Sequence, residues 1–309
     1  MITVSRILCP VDTSEFSARA LRHAATLAAW YGAEVTVLWV RPTSHPQSLW
    51  LEYPGPLPPE RPEERERAEE GVRAFVRDAV GQAAPKVLFQ DGSVAPTILL
   101  AAAGLPADLL VMGTHGLSGF DRFLLGSITE KVLRKAPCAV LTVPPRAATA
   151  DAGPAVTFKT IVCGVDFSRA SEHALDYALS LAQEAGGRLV VVHVLEWATE
   201  EEQRSMTHFK PSAFSQTLER DAREQLASLV PSDVRTWCDP ELVVAYGKPH
   251  RALLRIASER DAELIVLASQ GRSAIDVMVY GSTTQQVVRQ ATCPVLTVPG
   301  GKPAGAAPA

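Results

Sequence analysis

Apolar positions in the first half of the chain follow two different periods. RILCPV (6–11), AEVTVLWV (33–40), KVLFQ (86–90), LLVM (109–112) and AVLTVP (139–144) are short, nearly unbroken apolar runs. Such runs read as strands covered on both faces. Between the first two, Phe16, Ala20, Ala24, Leu27 and Tyr31 recur every three or four residues, the spacing of an amphipathic helix. Further helices are expected from about Glu63 to Gln82, through TILLAAA (97–103), and after Gly126. Strands alternating with helices predict a five-stranded, mostly parallel sheet with helices on both faces, a doubly wound, Rossmann-like α/β fold. In such sheets ligands settle at the carboxyl ends of the strands, where the strand order reverses.

The pattern then starts again. ILCPVDTSEFSARALRHAATLA from Ile7 aligns with IVCGVDFSRASEHALDYALSLA from Ile161, which sets Asp12 on Asp166 and Cys9 on Cys163, 154 residues apart. DLLVMGTHG aligns with ELIVLASQG, and Gly116 on Gly271 and Gly126 on Gly281 are 155 apart. A repeat of this length is a duplicated domain, not a solenoid unit. The expected division is one domain over 1–146, a Pro/Ala/Gly linker over 147–157, a second domain over 158–300, and a frayed tail over 301–309.

Composition narrows the function classes. The net charge of −4 and the lack of a Lys/Arg block argue against a nucleic-acid partner. The greasiest windows are broken by Gly104, Pro106 and Asp108, too soon for a membrane span. Asp12 interrupts the start before a secretory apolar region has formed, so a cytoplasmic location is expected. Five cysteines without CxxC spacing indicate neither a disulfide framework nor zinc, and Cys9 and Cys163 read as core residues.

The chemistry concentrates in GTHGLSGFDRFLLGS, residues 113–127. A Gly-rich loop between a strand and a helix turns backbone N–H groups toward an anion. SITE reads as a capping box, with Ser127 as N-cap and Glu130 three positions on. STTQ repeats it with Ser282 and Gln285. Walker A is absent, since neither Gly247-Lys248 nor Gly301-Lys302 is followed by Ser or Thr, and no GxGxxG follows the first strand.

Together, the early V-D-x-S, the G-x2-G-x9-G-[ST] loop and the closing PCAVLTVP resemble the ATP-binding universal stress proteins, and the resemblance covers both halves. It implies ATP, with Mg2+, at the sheet edge. Pro10, Val11 and Asp12 would line the ribose and phosphate side, and Val40, closing the second strand, would meet adenine through its backbone. Met112, Gly113, Thr114, His115, Gly116, Leu117 and Ser118 would wrap the ribose and phosphates, with Gly126, Ser127 and Ile128 completing the cradle. Arg122 is the natural cation for the terminal phosphates. Asp12 would bond ribose or orient a magnesium-bound water, or else flank the helix as a cap.

The second copy departs from this pattern. Ala268 replaces the first glycine, and Val277 stands in place of Arg122. Its equivalent positions are Gly164, Val165, Asp166, Val194, Ala268, Ser269, Gln270, Gly271, Arg272, Ser273, Gly281, Ser282 and Thr283. A methyl at a close-approach glycine can block or shift a ligand. Tight binding is therefore expected in the first copy, and weak binding or none in the second.

Three functional readings stay open: a regulatory ATP-binding module, a slow ATP hydrolase, and an interaction protein with vestigial sites. Hydrolysis would need a base, for which the loop offers His115 and Asp121, matched by Gln270 and Asp276 in the second copy. The absence of a Ser-His-Asp or HExxH arrangement favours binding. The VLTVP strands resemble the family's edge strands, which implies an internal pseudo-dimer of the two halves and leaves room for a homodimer and an unidentified protein partner. The proline-rich stretch 42–62, with Trp50 and Tyr53, reads as a lid, a docking surface or a spacer.

Overall fold

The computed structural model describes residues 2–42, 62–81, 85–115, 125–145, 156–196, 213–232, 234, 237–271 and 280–300. The proline-rich stretch, most of the linker and the tail lie outside them, as do Gly116, Leu117, Ser118, Asp121 and Arg122 in the first copy and Arg272, Ser273, Asp276 and Val277 in the second. The chain divides into two compact units, one built on Val4–Pro145 and the other running from Thr157.

In the first unit, β1 (Arg6–Val11), β2 (Glu34–Pro42), β3 (Lys86–Gly92), β4 (Leu109–Gly113) and β5 (Ala139–Val143) lie in the order β3-β2-β1-β4-β5. Every one of these pairings is parallel, with Ile7 opposite both Val35 and Leu109. The order reverses between β1 and β4, whose carboxyl ends therefore part and leave a crevice. Four helices connect the strands: α1 (Glu15–Tyr31), α2 (Pro62–Val80), α3 (Val94–Gly104) and α4 (Ser127–Lys135). β2 runs two residues beyond Val40, the expected strand end, because Arg41 and Pro42 still pair with Asp91 and Gly92 of β3.

The second unit repeats the plan with β6 (Thr160–Val165), β7 (Arg188–Leu195), β8 (Glu241–Tyr246), β9 (Leu264–Ala268) and β10 (Val295–Val298). Its order is β10-β9-β6-β7-β8, again parallel. Its helices are α5 (Arg169–Ala185), α6 (Ala213–Leu229), α7 (Pro249–Glu259) and α8 (Ser282–Gln290).

The cores are the apolar runs read from the sequence. Leu109, Leu110, Val111 and Met112 of β4 are all buried, as are Leu264 to Ala268 of β9. On α1 the apolar stripe sinks Ala20, Ala24 and Leu27 into the core, while Phe16 and Tyr31 stay half-buried at the two ends. Gly32 closes α1 and Gly186 closes α5 in the left-handed conformation, at φ 64° and 59°. All five cysteines are buried free thiols. Burial pushes the Cys138 and Cys293 thiols up to about 12, and those of Cys9 and Cys163 higher still, which keeps them protonated and unreactive.

The turn from β1 into α1 is built twice on one plan. Ser14 caps α1 by accepting from the Ser17 amide at 3.2 Å, and its own amide and hydroxyl donate to Asp12 Oδ1 at 3.1 and 2.5 Å. Ser168 does the same with Ser171 and Asp166, at 3.2, 3.1 and 2.5 Å. Each turn forces one non-glycine residue into the left-handed region, Thr13 at φ 62° and Phe167 at φ 61°. A β-branched side chain there is strained by about 1–3 kcal/mol.

Thr13 is exposed, so exchanging it for a residue that tolerates this conformation removes strain without loss of packing. Thr13→Asn is expected to raise stability by about 0.5–1 kcal/mol in urea melts, and Ser14→Ala to lower it by about 1 kcal/mol. His23, buried on α1, faces the Arg19 carbonyl through Nδ1 at 2.8 Å, and burial lowers its pKa from 6.5 to about 4. The unfolded chain then binds the extra proton first. Stability is complete above pH 6.5 and falls as the pH drops toward 4, by up to about 3 kcal/mol. His23→Asn, which keeps a donor for the carbonyl, is expected to flatten that acid-side loss in urea melts compared across the range.

Candidate functional site

At the switch point of each unit, the strand end, the following loop and the next helix are tied by main-chain hydrogen bonds. Thr114 donates its amide to Val143 O at 3.0 Å, and Gly126 donates to Thr114 O at 2.8 Å. The Thr129 hydroxyl, buried under the first turn of α4, donates to Gly113 O at 3.0 Å. The second unit has the same ties: Ser269 N to Val298 O at 2.7 Å, Gly281 N to Ser269 O at 2.8 Å, and Thr284 Oγ1 to Ala268 O at 2.8 Å. Each helix start is thus fastened to the end of its central strand.

The expected capping boxes do not form. Gly126 and Gly281 are the N-caps, Ser127 and Ser282 are the first helical residues, and among the described residues no side-chain cap bonds either helix start. The ties to Thr114 and Ser269 set the glycine in an extended conformation, which moves the helix start one residue earlier than the serine. Glu130 instead pairs with Arg134 at 2.9 Å. The first-turn N–H groups lack intrahelical acceptors, so both helices present uncapped amides and the positive end of the dipole at the crevice. The serine side chains, exposed beside those amides, are left available to a ligand.

In the first unit the structure brings the described candidates to this edge. Pro10, Val11 and Asp12 close β1, Met112 and Gly113 close β4, Thr114 and His115 begin the loop, and Gly126, Ser127 and Ile128 start α4. Asp12 Oδ1 is engaged by Ser14, so Asp12 orients the cap. His115 meets Thr114 Oγ1 through Nδ1 at 2.9 Å and leans on Phe16, with ring centroids 6.0 Å apart. A Cβ at Gly113 would meet the His115 carbonyl at 3.1 Å and Phe16 at 3.4 Å, and one at Gly126 would meet Thr114 O at 3.0 Å. The glycines make room for the protein's own backbone as it doubles back.

In the second unit the same edge opens a cleft of ≈ 400 Å³. Gly164, Val165, Asp166, Val194, Ala268, Gln270, Gly271, Gly281, Ser282 and Thr283 line it. Of the described candidates, Ser269 does not line it, its backbone being used in the ties. Ala268 carries its methyl at the former glycine position and the cleft remains open beside it. Gly271 approaches so closely that a Cβ would lie 2.8 Å from Asp166 Oδ2, which brings the loop onto the end of β6. Gly164 leaves space filled by Leu267 and Leu253, whose methyls would lie 2.6 and 3.0 Å from a Cβ there.

Several lining residues were not read from the sequence. Leu253 and Pro249 come from α7, and His193 and Glu196 from the end of β7. His193 donates Nδ1–H to Val165 O at 2.9 Å and stacks on Phe167 with centroids 4.2 Å apart. The helix-start threonines carried a legible signal, Gly-Ser-x-Thr in both copies. Among the described residues, no group of three or more His, Cys, Asp or Glu could hold a metal ion. No helix there is long and apolar enough to cross a membrane.

Comparison with known proteins agrees with this architecture. The profile of the Universal stress protein family matches residues 3–144 and again 157–299. A universal stress protein of Mycolicibacterium smegmatis is 28% identical over 302 residues, covering 94% of this chain and 96% of its own. One from Methanocaldococcus jannaschii is 34% identical over 139 residues, 45% of this chain and 81% of its own. The crystal structure of a universal stress protein from Archaeoglobus fulgidus superposes with a TM-score of 0.67 at 23% identity, covering 97% of this chain and all of that one, a likeness of fold. The chain therefore belongs to the universal stress protein family, with two tandem domains of it.

Proposed function

We propose that the protein is an adenine-nucleotide-binding regulator of the stress response, holding ATP at the switch point of the first unit. One observation carries this reading: an uncapped helix start, fastened to the central strand, aims free amides into the crevice at the carboxyl edge of the sheet. Such amides, with the helix dipole behind them, favour phosphate oxygens. The residues present fit a nucleotide. Ser127 and Ile128 offer amides and a hydroxyl to phosphates, and the end of β1 from Pro10 to Asp12 faces the ribose. The backbone of Val40 meets adenine, and Met112 and Gly113 at the end of β4 lie against the ribose and phosphates. Gly116, Leu117 and Ser118, which lie outside the described residues, are the further phosphate contacts that the family resemblance implies, and Arg122 is the cation it offers to the terminal phosphates. Mg2+ travels on the phosphates, with Asp12 meeting it through water.

The second unit shares the helix start, but Val277 in place of Arg122 removes the candidate cation. ATP is therefore held more weakly there. Binding alone, with a change in the surface shown to a partner, is the output. Of the two candidate bases, His115 is turned onto Thr114 and Phe16, and Asp121 lies outside the described residues.

Calorimetric titration of the purified chain with ATP tests the proposal. One tight site per chain is expected. Arg122→Ala should weaken it at least about tenfold while leaving AMP affinity nearly unchanged, because a single charge-assisted contact to the outer phosphates is lost. Phosphate release should stay below ~1 s⁻¹. No uptake of any adenylate overturns the reading, and faster release replaces it with hydrolysis.

A further inference from the structure

The two units differ at the end of their second strand, where the nucleotide reading puts the base. In the first, β2 ends in Arg41 and Pro42. Arg41 is clamped by Asp91 through two hydrogen bonds of 2.8 and 2.7 Å, and Pro42 pairs with Gly92 in the sheet. In the second, the equivalent positions are Leu195 and Glu196, and both line the cleft. The backbone before Glu196 is held: Gly247 donates its amide to Leu195 O at 3.1 Å, and Leu195 pairs with Tyr246. An acid thus stands, exposed, on the lip of the second cleft where the first unit has a proline.

The neighbours of Glu196 suit a flat, apolar ring. Side chains alternate between the faces of a strand, so Val192 and Val194 share a face with Gly164, which pairs with Val192 and opens toward Leu253 of α7. Carried one residue past the strand, the same alternation brings Glu196 to that face. Pro249 and Leu253 add apolar wall from α7. β7 lies on the opposite side of β6 from β9. Phosphates at the start of α8 and a ribose at the end of β6 therefore deliver the base to the end of β7, between α7 and Glu196.

An ionised carboxylate only accepts hydrogen bonds, and its two oxygens take a pair of adjacent donors. Guanine presents such a pair, N1–H beside its N2 amino group. Adenine presents one amino donor beside N1, whose lone pair would face the second oxygen and be repelled by it. We infer that Glu196 reads the base in the second unit and makes that cleft a guanine-nucleotide site, whereas the first unit takes adenine nucleotides. This rests on the reading of the switch points as nucleotide sites. It adds a base-reading residue whose counterpart in the first unit, Pro42, has no acceptor on its side chain.

The test uses the full chain, titrated by calorimetry with ATP, GTP and ITP, in wild type and in Glu196→Ala and Glu196→Gln. Wild type is expected to hold GTP at one site at least about tenfold more tightly than ATP is held there, since two charge-assisted hydrogen bonds replace one. ITP, which keeps N1–H and lacks the N2 amino group, should fall between them. Glu196→Ala should erase this order. Glu196→Gln should turn it toward ATP, because an amide offers adenine a donor and an acceptor together. Tight ATP uptake by the first unit should persist in both variants, which shows that they are folded. A chain that takes up ATP but has no site preferring GTP overturns the inference alone, as does a GTP preference that survives Glu196→Ala. GTP uptake that Glu196→Ala abolishes, without any ATP uptake, upholds the inference and overturns the adenine reading of the first unit. A chain that takes up none of the three overturns both.

Discussion

Two long-range hydrogen bonds at each helix start are the constraint on which the candidate sites depend. An α-helix begins with amides that its own carbonyls cannot reach, and a side chain usually takes them up. Here the glycine N-cap has no side chain to offer, and the glycine's own amide is tied to the loop. Thr129 and Thr284 lie under the helix and spend their hydroxyls on the strand end. The helix is held in place from behind, and its positive end stays open in front.

That arrangement explains the glycines without appeal to a ligand. Gly113 and Gly126 lie where the backbone returns on itself, against the carbonyls of His115 and Thr114. Gly271 lies where the loop meets the Asp166 carboxylate. The same packing explains how the second copy tolerates Ala268: its methyl occupies space at the strand end, and the cleft beside it stays open. The ties behind the crevice are kept in both copies, although Ala268 stands where the first copy has Gly113.

Strain and capping are handled with the same economy. Asp12 and Asp166 both hold a serine N-cap, and both turns tolerate a left-handed residue that is not glycine, threonine in one and phenylalanine in the other. In the second unit that residue is turned to use, since Phe167 stacks on His193 at the cleft wall. One backbone device therefore supports two differently furnished edges.

Much of this was legible in the residues alone. Unbroken apolar runs specify strands covered on both faces, three-to-four spacing specifies the helices, and the 154-residue self-match specifies the duplication, because burial periodicity is local and survives without coordinates. The candidate edge was legible too, since the Gly-rich loop between a strand and a helix points to it. The helix cap was misread: Ser127 with Glu130 has the letters of a capping box, but a long-range bond from Gly126 to the Thr114 carbonyl moves the helix start by one residue. Glu196 and Leu253 reach the same cleft from segments some 57 residues apart in the chain. Only the order in which strands pair could bring them together, because no local pattern encodes which chain segments a parallel sheet will place side by side.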